Sequence, residues 1–73
     1  MRHYRFPVLL DKGQCLAFYQ GRITDVVVYA ENGQTVQLPL RYFRPYMQHD
    51  GLQGYFVLTL SDDGKFEQLQ KIN

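Results

Sequence analysis

The dipeptide Asn32-Gly33 constrains the fold more than any other feature, because it lies between the apolar runs "RITDVVVYA" and "TVQLPL". Asn-Gly in this context is the strongest short-range signal for a β-hairpin with a two-residue type I′ loop. That loop length sets Val27 opposite Leu38. One face of the predicted hairpin, its core face, then consists of Val27, Tyr29, Val36 and Leu38, and the other of Val26, Val28, Ala30, Thr35 and Gln37.

The second face of this hairpin is also partly apolar, so something is expected to cover it. A short helix, a curled sheet and a second copy of the chain are the alternatives. Pro7 lies in the run "HYRFPVLL" and marks a strand that belongs at a sheet edge. An available edge beside a half-apolar face predicts a homodimer.

The run "HYRFPVLL" alternates with a period of two, which is typical of a half-buried strand. "DKGQCLAFYQG" follows it and predicts a short helix, with Asp11 as the N-cap, Gln14 completing a capping box, and Gly21 as the left-handed stop. A helix this short must dock on the rest of the domain. The residues expected to dock are Leu16, Tyr19, and Cys15 or Phe18.

A second hairpin is predicted near the C-terminus, where "YFVLTL" precedes the turn "SDDGK". A three-residue loop ending in Gly64 sets Leu60 opposite Phe66. The last segment, "KFEQLQKI", does not alternate strictly. A bulge, a frayed end and a C-terminal helical turn are the alternatives there.

These elements predict an α+β fold that is mostly β, in the order β-α-β-β-β-β. We expect a small curved antiparallel sheet or partly open barrel of about five strands with one short helix. At 73 residues, the chain is short for even one domain, so residues 1–73 are expected to form a single unit.

Catalytic and cofactor chemistry have little support in the sequence. The single cysteine, Cys15, lies in the predicted helix and is interpreted as a small buried hydrophobe, although a thiolate near a helix N-terminus would be favoured. His3 and His49 are far apart and have no ligand-spaced Cys or carboxylate nearby. We therefore predict no enzyme activity, no metal site and no cofactor.

The cysteine content and the apolar runs also bear on location. One cysteine fits a reducing compartment. The apolar run near the N-terminus is shorter than the core of a signal peptide, and no run is long enough to span a membrane. These features predict a cytoplasmic protein with no membrane partner.

The stretch "RYFRPYMQHDGLQG", residues 41–54, fits neither a strand nor a helix pattern and predicts a shaped connection. Pro45 is expected to force Arg44 out of helical geometry. The apolar side chains of the stretch predict a lid over one end of the sheet, with the arginines outside. The candidate partner-binding residues are Arg22, Arg41, Tyr42, Arg44, Tyr46 and His49.

Two kinds of partner fit these residues. The first hypothesis is a non-enzymatic interaction module that binds an unidentified protein, or a second copy of itself, on this connection and the adjoining hairpin face. The second is a small barrel that binds single-stranded RNA, because guanidinium groups beside exposed rings suit phosphates and bases. In that hypothesis Tyr42 is the ring expected to face outward. The net charge of +1 supplies no general attraction to nucleic acid.

The chain resembles a short bacterial family of about 70 residues, mostly gammaproteobacterial and described only as a domain of unknown function. The resemblance covers nearly the whole length. It is carried by "YRF" at the start, "YQG" at the helix end, "ENGQTVQLP" in the hairpin, "RPYMQHDGLQGYF", and "DDGKF" near the end. This resemblance implies a bacterial cytoplasmic protein, and it transfers no catalytic residue, cofactor or partner to the chain.

Overall fold

The computed structural model describes residues 1–73 and contains five β-strands, one α-helix and one 3₁₀ helix. The elements in chain order are β1 (Arg2–Asp11), α1 (Lys12–Tyr19), β2 (Asp25–Tyr29), β3 (Thr35–Pro39), the 3₁₀ helix (Leu40–Tyr46), β4 (Gly51–Leu60) and β5 (Phe66–Lys71). The predicted class, strand number and order are confirmed. The strands divide between two open antiparallel sheets, one with the order β1-β4-β5 and one consisting of β2 and β3.

β1 lies at the edge of the three-stranded sheet, as Pro7 predicted. On the side away from β4, the Arg5 carbonyl accepts a hydrogen bond of 2.9 Å from the Glu31 N–H. Backbone groups alternate between the two edges of a strand, so Pro7 also turns its backbone toward this free edge. Its missing N–H therefore costs no bond to β4.

β4 begins at Gly51, so residues 51–54 belong to a strand and not to the irregular connection that the sequence predicted. Gly51 has a φ of 132°, and a Cβ there would lie 2.4 Å from the Leu10 carbonyl oxygen. The backbones of β1 and β4 approach closely at this point, since Asp11 pairs with Gly51. The close pairing of these two strands therefore requires a glycine at position 51.

α1 has both predicted caps. Asp11 accepts a hydrogen bond of 2.8 Å from the Gln14 N–H, and the Gln14 side chain accepts one of 2.9 Å from the Asp11 N–H. Gly21 has a φ of 75°. The N–H groups of Gly21 and Arg22 donate to the carbonyls of Phe18 and Ala17, which completes a Schellman motif.

The docking face of α1 is narrower than the sequence predicted. Cys15 is buried and Phe18 is half-buried, as expected, whereas Leu16 is 52% exposed and Tyr19 is 54% exposed. The prediction that Leu16 and Tyr19 dock is wrong. Only one face of a helix of eight residues meets the sheet. Cys15 and Phe18 lie three apart on that face, and Leu16 and Tyr19 lie three apart on the next.

Residues 40–46 form a 3₁₀ helix where the sequence predicted an irregular connection. Side chains three apart lie above one another in this helix. Leu40 and Phe43 are buried and Tyr46 is half-buried on one side, while Arg41 and Arg44 are exposed on another. The prediction that Pro45 excludes Arg44 from helical geometry is wrong. Helical geometry is disfavoured before proline but not forbidden, and this helix ends at Tyr46, one residue after Pro45.

The β2-β3 hairpin has a different register from the predicted one. Val28 lies opposite Val36, and Val26 lies opposite Leu38. Gly33 has a φ of 86°, but Asn32 has a negative φ, so the turn is not type I′. This shift moves the buried face to Val28, Ala30 and Leu38, with Val26 and Val36 half-buried, and leaves Val27 and Tyr29 exposed.

The β4-β5 hairpin confirms its prediction, since Leu60 lies opposite Phe66. A register shift between Thr59 and Leu60 supplies the predicted bulge, and β5 continues as a strand to Lys71. The remaining backbone bonds near the C-terminus join Tyr55 to Ile72 and Asn73. The C-terminal segment is therefore a strand, and the helical-turn alternative is wrong.

The core lies between the two sheets and under the 3₁₀ helix. Its centre consists of three fully buried rings, with Phe43 edge-on to Phe56 at 5.2 Å and to Phe6 at 6.3 Å between ring centroids. Leu40 and Leu58 complete the fully buried set. The predicted lid packs here, because Phe43 and Leu52 are buried and Tyr46 and Met47 contact the core.

Candidate partner-binding surface

Arg41 and Arg44 lie on the outer side of the 3₁₀ helix, one turn apart. The Arg41 guanidinium carbon lies 5.1 Å from the centroid of the Tyr42 ring, and that of Arg44 lies 5.7 Å from the Tyr19 ring. Neither arginine forms an ion pair. Both positive groups are therefore held against aromatic rings, within the range of cation–π contacts, with their hydrogen-bond donors available.

Tyr42 and Tyr46 have structural contacts. Tyr42 is half-buried and stacks on Phe66 with ring centroids 4.0 Å apart. The Tyr46 ring lies edge-on to Phe56 at 5.4 Å, and its hydroxyl donates a 3.0 Å hydrogen bond to the Leu69 carbonyl. The expectation that Tyr42 faces outward is wrong, because Phe66 of β5 provides an apolar surface for its ring.

Arg22 and His49 are exposed at two other places. Arg22 follows α1 in the Schellman turn, and His49 lies in the tight turn between Gln48 and Gly51. No hydrogen bond, ion pair or cation–π contact joins either side chain to the 3₁₀ helix. The structure thus brings together Arg41, Tyr42, Arg44 and Tyr46 on one helix and places Arg22 and His49 outside it.

Tyr19 and Leu16 belong to this surface, although the sequence reading placed them in the core. Both are about half exposed and lie three apart on α1, so they share one helix face. Arg44 reaches over Tyr19 from the neighbouring 3₁₀ helix. The sequence contained a signal for this exposure. Cys15 and Phe18 already fill the buried face of so short a helix, which leaves Leu16 and Tyr19 on an exposed face. We call Leu16, Tyr19, Arg41 and Arg44 the arginine–tyrosine surface.

Cys15 is the only nucleophile candidate in a helix, and its environment disfavours the thiolate. Burial raises the pKa of the Cys15 thiol, and the nearby Asp11 carboxylate raises that pKa further. Both effects oppose the thiolate that a helix N-terminus would favour. Cys15 is buried, which confirms its interpretation as a small buried hydrophobe. No cluster of three or more His, Cys, Asp or Glu side chains is arranged to hold a metal ion.

Comparison with known proteins places the chain in a family. The family model described as "Protein of unknown function (DUF2835)" matches residues 2–72. The chain belongs to this family. No curated protein and no solved structure matches it. The resemblance inferred from the sequence motifs is thereby confirmed as an unknown-function family, and it covers nearly the whole chain.

A second exposed apolar region lies between β1 and β2 of this DUF2835 protein. A groove of about 120 Å³ there is lined by residues 7–10 of β1 and 26–29 of β2. Leu9 and Tyr29 beside it are 74% and 72% exposed. The Arg5–Glu31 hydrogen bond joins β1 to the segment that follows β2, and no backbone hydrogen bond pairs the free edge of β1 at Leu9.

Glu31 joins the two sheets at the closed end of this groove. Its N–H donates to β1, and its carboxylate accepts a hydrogen bond from the Tyr55 hydroxyl of β4. That hydrogen bond raises the pKa of Tyr55, and burial raises it further. Neither helix of the protein combines the length and hydropathy that crossing a membrane requires.

Proposed function

We propose that the protein is a non-enzymatic interaction module of the bacterial cytoplasm and that a protein partner docks on the arginine–tyrosine surface. The observation that carries the proposal is the pair of unpaired guanidinium groups, Arg41 and Arg44, each positioned over a tyrosine ring. A cation held in place by a ring loses little side-chain entropy when a partner binds. Arg and Tyr are also the residue types enriched at protein interfaces.

The alternative, single-stranded RNA, has weaker support. Binding of RNA needs ring faces on which bases stack. One face of the Tyr42 ring is covered by Phe66, and the Tyr46 ring packs against Phe56. Tyr19 remains as the one substantially exposed ring beside an arginine, next to the aliphatic Leu16. One ring beside an aliphatic side chain suits a protein partner better than a run of bases.

Support for a non-enzymatic role comes from the nucleophile candidates. The thiol of Cys15 is buried and has a raised pKa. The Ser61 hydroxyl bonds to Asp63 within its turn. The Cys15 thiol has no hydrogen-bonded base, and the Ser61–Asp63 pair lies in an exposed turn and not in a cleft where a base activates a nucleophile.

Self-association belongs to the same proposal as a second contact. Leu9, Val27 and Tyr29 are at least half exposed along the groove beside the free edge of β1. An unpaired edge next to exposed apolar side chains favours pairing with another copy. Light scattering over a concentration series should show a dimer at moderate concentration. A monomer up to about millimolar, a Kd range at which association free energy is only about 4 kcal/mol, contradicts self-association.

Affinity capture from native cells, with and without nuclease, tests the main proposal. We expect a protein that survives nuclease treatment and that the double variant Arg41→Gln/Arg44→Gln fails to retain. The matched control is Lys65→Gln/Lys71→Gln. It removes the same charge from two exposed positions on the β4-β5 hairpin. Loss of the captured material on nuclease treatment would instead indicate nucleic acid. Equal capture by both double variants would contradict the proposed surface.

A further inference from the structure

The charged side chains of this protein are unequally satisfied. Five of its seven carboxylates already have a hydrogen bond or ion-pair partner within the chain. They are Asp11, Asp25, Glu31, Asp62 and Asp63. The only two ion pairs use the N-terminal amine and Lys65. The acidic groups are therefore mostly engaged, while the cations of the two helices remain free.

The free cations lie in acid-free parts of the sequence. Residues 12–24 and 32–49 contain no Asp or Glu. These two ranges include α1 and the 3₁₀ helix, whose exposed cations are Lys12, Arg41 and Arg44. The two helices therefore have a positive local electrostatic potential, although the net charge of the chain is only +1. The one carboxylate at these helices is Asp11, the N-cap of α1, and it is bonded to the Gln14 N–H, so an acidic group of another molecule would meet least repulsion at the Arg44 end of the helix.

On the outer face of α1, the apolar side chains of Leu16 and Tyr19 lie between two cations, Lys12 and Arg44. Lys12, Leu16 and Tyr19 recur at spacings of four and three, so they form one row along the helix. Arg44 lies over the Tyr19 ring at one end of the row, and Lys12 lies at the other. An apolar side chain would fit against Leu16 and Tyr19, and carboxylates on either side of it would meet the two cations.

We infer that this row binds an acidic protein segment, one in which Asp or Glu residues flank an apolar anchor side chain. This inference rests on the proposed function and names the class of partner. Arg44 binds a carboxylate, since its planar guanidinium matches the two oxygens. Lys12 attracts a second acidic group, and Leu16 with Tyr19 binds the anchor. The acidic turn of another copy fits this description less well, because Asp62 and Asp63 there already contact the N-terminal amine, Ser61 and Lys65.

Selection from a random peptide library on the immobilised protein tests this inference. We expect enrichment of peptides that combine Asp or Glu with an aliphatic or aromatic residue. The strongest peptide, labelled with a fluorophore, should bind roughly tenfold more weakly to Arg44→Gln, since one charge-assisted hydrogen bond has about that value. Leu16→Ser should weaken it as well. The control Lys65→Gln should leave the affinity unchanged, and added salt should lower it for the wild type.

Four outcomes overturn the inference. Enriched peptides without acidic residues remove the acidic partner, and equal affinity of wild type and Leu16→Ser removes the anchor. Binding of a single-stranded RNA oligonucleotide in place of peptides overturns both this inference and the proposed function. If the Arg41→Gln/Arg44→Gln variant loses its captured cellular protein but no acidic peptide binds, only this inference fails. Circular dichroism of each variant verifies that the fold is retained.

Discussion

The β2-β3 and β4-β5 hairpins have the same turn, yet the turn residues led to the correct strand register only for the β4-β5 hairpin. In the first, the Gly33 N–H donates to the Ala30 carbonyl and the Ala30 N–H to the Gln34 carbonyl. In the second, Gly64 bonds to Ser61 and Ser61 to Lys65 in the same way. The glycines have φ values of 86° and 88°. Both loops are thus three-residue loops closed by a glycine in the left-handed region.

The two turn dipeptides are equivalent signals. Asn-Gly and Asp-Gly both favour a two-residue type I′ loop, but a two-residue loop was predicted only for Asn32-Gly33. In the structure Asn32 has negative φ, and its side-chain oxygen accepts a 3.0 Å hydrogen bond from the Gln34 N–H. In the β4-β5 turn, the Ser61 hydroxyl accepts the equivalent hydrogen bond, from the Lys65 N–H, at 3.0 Å. The side chain of Asn32 therefore stabilises the turn by bonding, where the prediction relied on its backbone freedom.

Burial decides between the two registers of the first hairpin. The observed register collects Val26, Val28, Ala30, Val36 and Leu38 on one face and leaves Asp25, Val27, Tyr29, Thr35 and Gln37 on the other. The outer face even contains a hydrogen bond of 2.8 Å between Gln37 and Asp25. The predicted register also gave one apolar face, but it placed Val26, Val28 and Ala30 on the opposite face, beside Thr35 and Gln37. A slip of one residue exchanges the faces of a strand, so the cleaner partition should outweigh the turn dipeptide.

Matched valine substitutions give the largest expected effect and test the register directly. Val28→Thr should destabilise the protein by about 1 to 3 kcal/mol, because it buries a hydroxyl at a site that is 3% exposed. Val27→Thr, at a site that is 51% exposed, should stay within about 0.5 kcal/mol. Urea denaturation measures both. The reverse order of the two losses would restore the type I′ register.

Glycine substitutions test whether the two turns are equivalent. A Cβ at Gly33 or Gly64 would meet no atom within 4 Å, so Gly33→Ala and Gly64→Ala are strained only by the positive φ. Each should lower the free energy of unfolding by about 1 to 2 kcal/mol. Thermal and urea denaturation should give equal losses within error. A difference greater than about 1 kcal/mol would show that the surroundings, and not the shared turn, set the cost.

The smallest expected effect is a pH dependence of stability that comes from Asp63 in the β4-β5 turn. The Ser61 hydroxyl bonds to the Asp63 carboxylate and holds the pKa of Asp63 below its ordinary value. A carboxyl with a lowered folded pKa contributes stability above its unfolded pKa and loses that contribution as pH falls through the folded pKa. NMR titration should place the pKa of Asp63 below the usual Asp range and show it rising in Ser61→Ala. An unchanged pKa in that variant would exclude the hydroxyl as the cause.

The elements that the sequence predicted correctly are those whose signals are local. The capping box of Asp11 with Gln14, the left-handed Gly21 and the edge position of Pro7 each depend on a few neighbouring residues. The division into two sheets depends on which strands meet across most of the chain, and no short pattern encodes that. The bond between Glu31 and Arg5, which joins the sheets, is of this long-range kind.

The 3₁₀ helix shows a different cause of failure. Leu40, Phe43 and Tyr46 repeat every three residues and face the core, but a search for periods of two and 3.6 does not detect a period of three. The candidate site was therefore predicted in part. Arg41 and Arg44 do lie outside the lid, as expected, whereas Tyr42 is packed on Phe66. The exposure of Tyr19 follows from the short helix and the limited area of its buried face.

The pairing of β1 with β4 determines when the main sheet can form. Arg2 pairs with Leu60, so nearly the whole chain separates the partners, whereas the β2-β3 hairpin pairs neighbouring segments. Pairings so distant in sequence slow folding, because the loop must close before its contacts stabilise the chain. During synthesis β1 leaves the ribosome first, followed by α1 and the β2-β3 hairpin, and the apolar face of β1 stays uncovered until β4 has emerged. The early strand is therefore the segment of this protein most in need of protection before folding is complete.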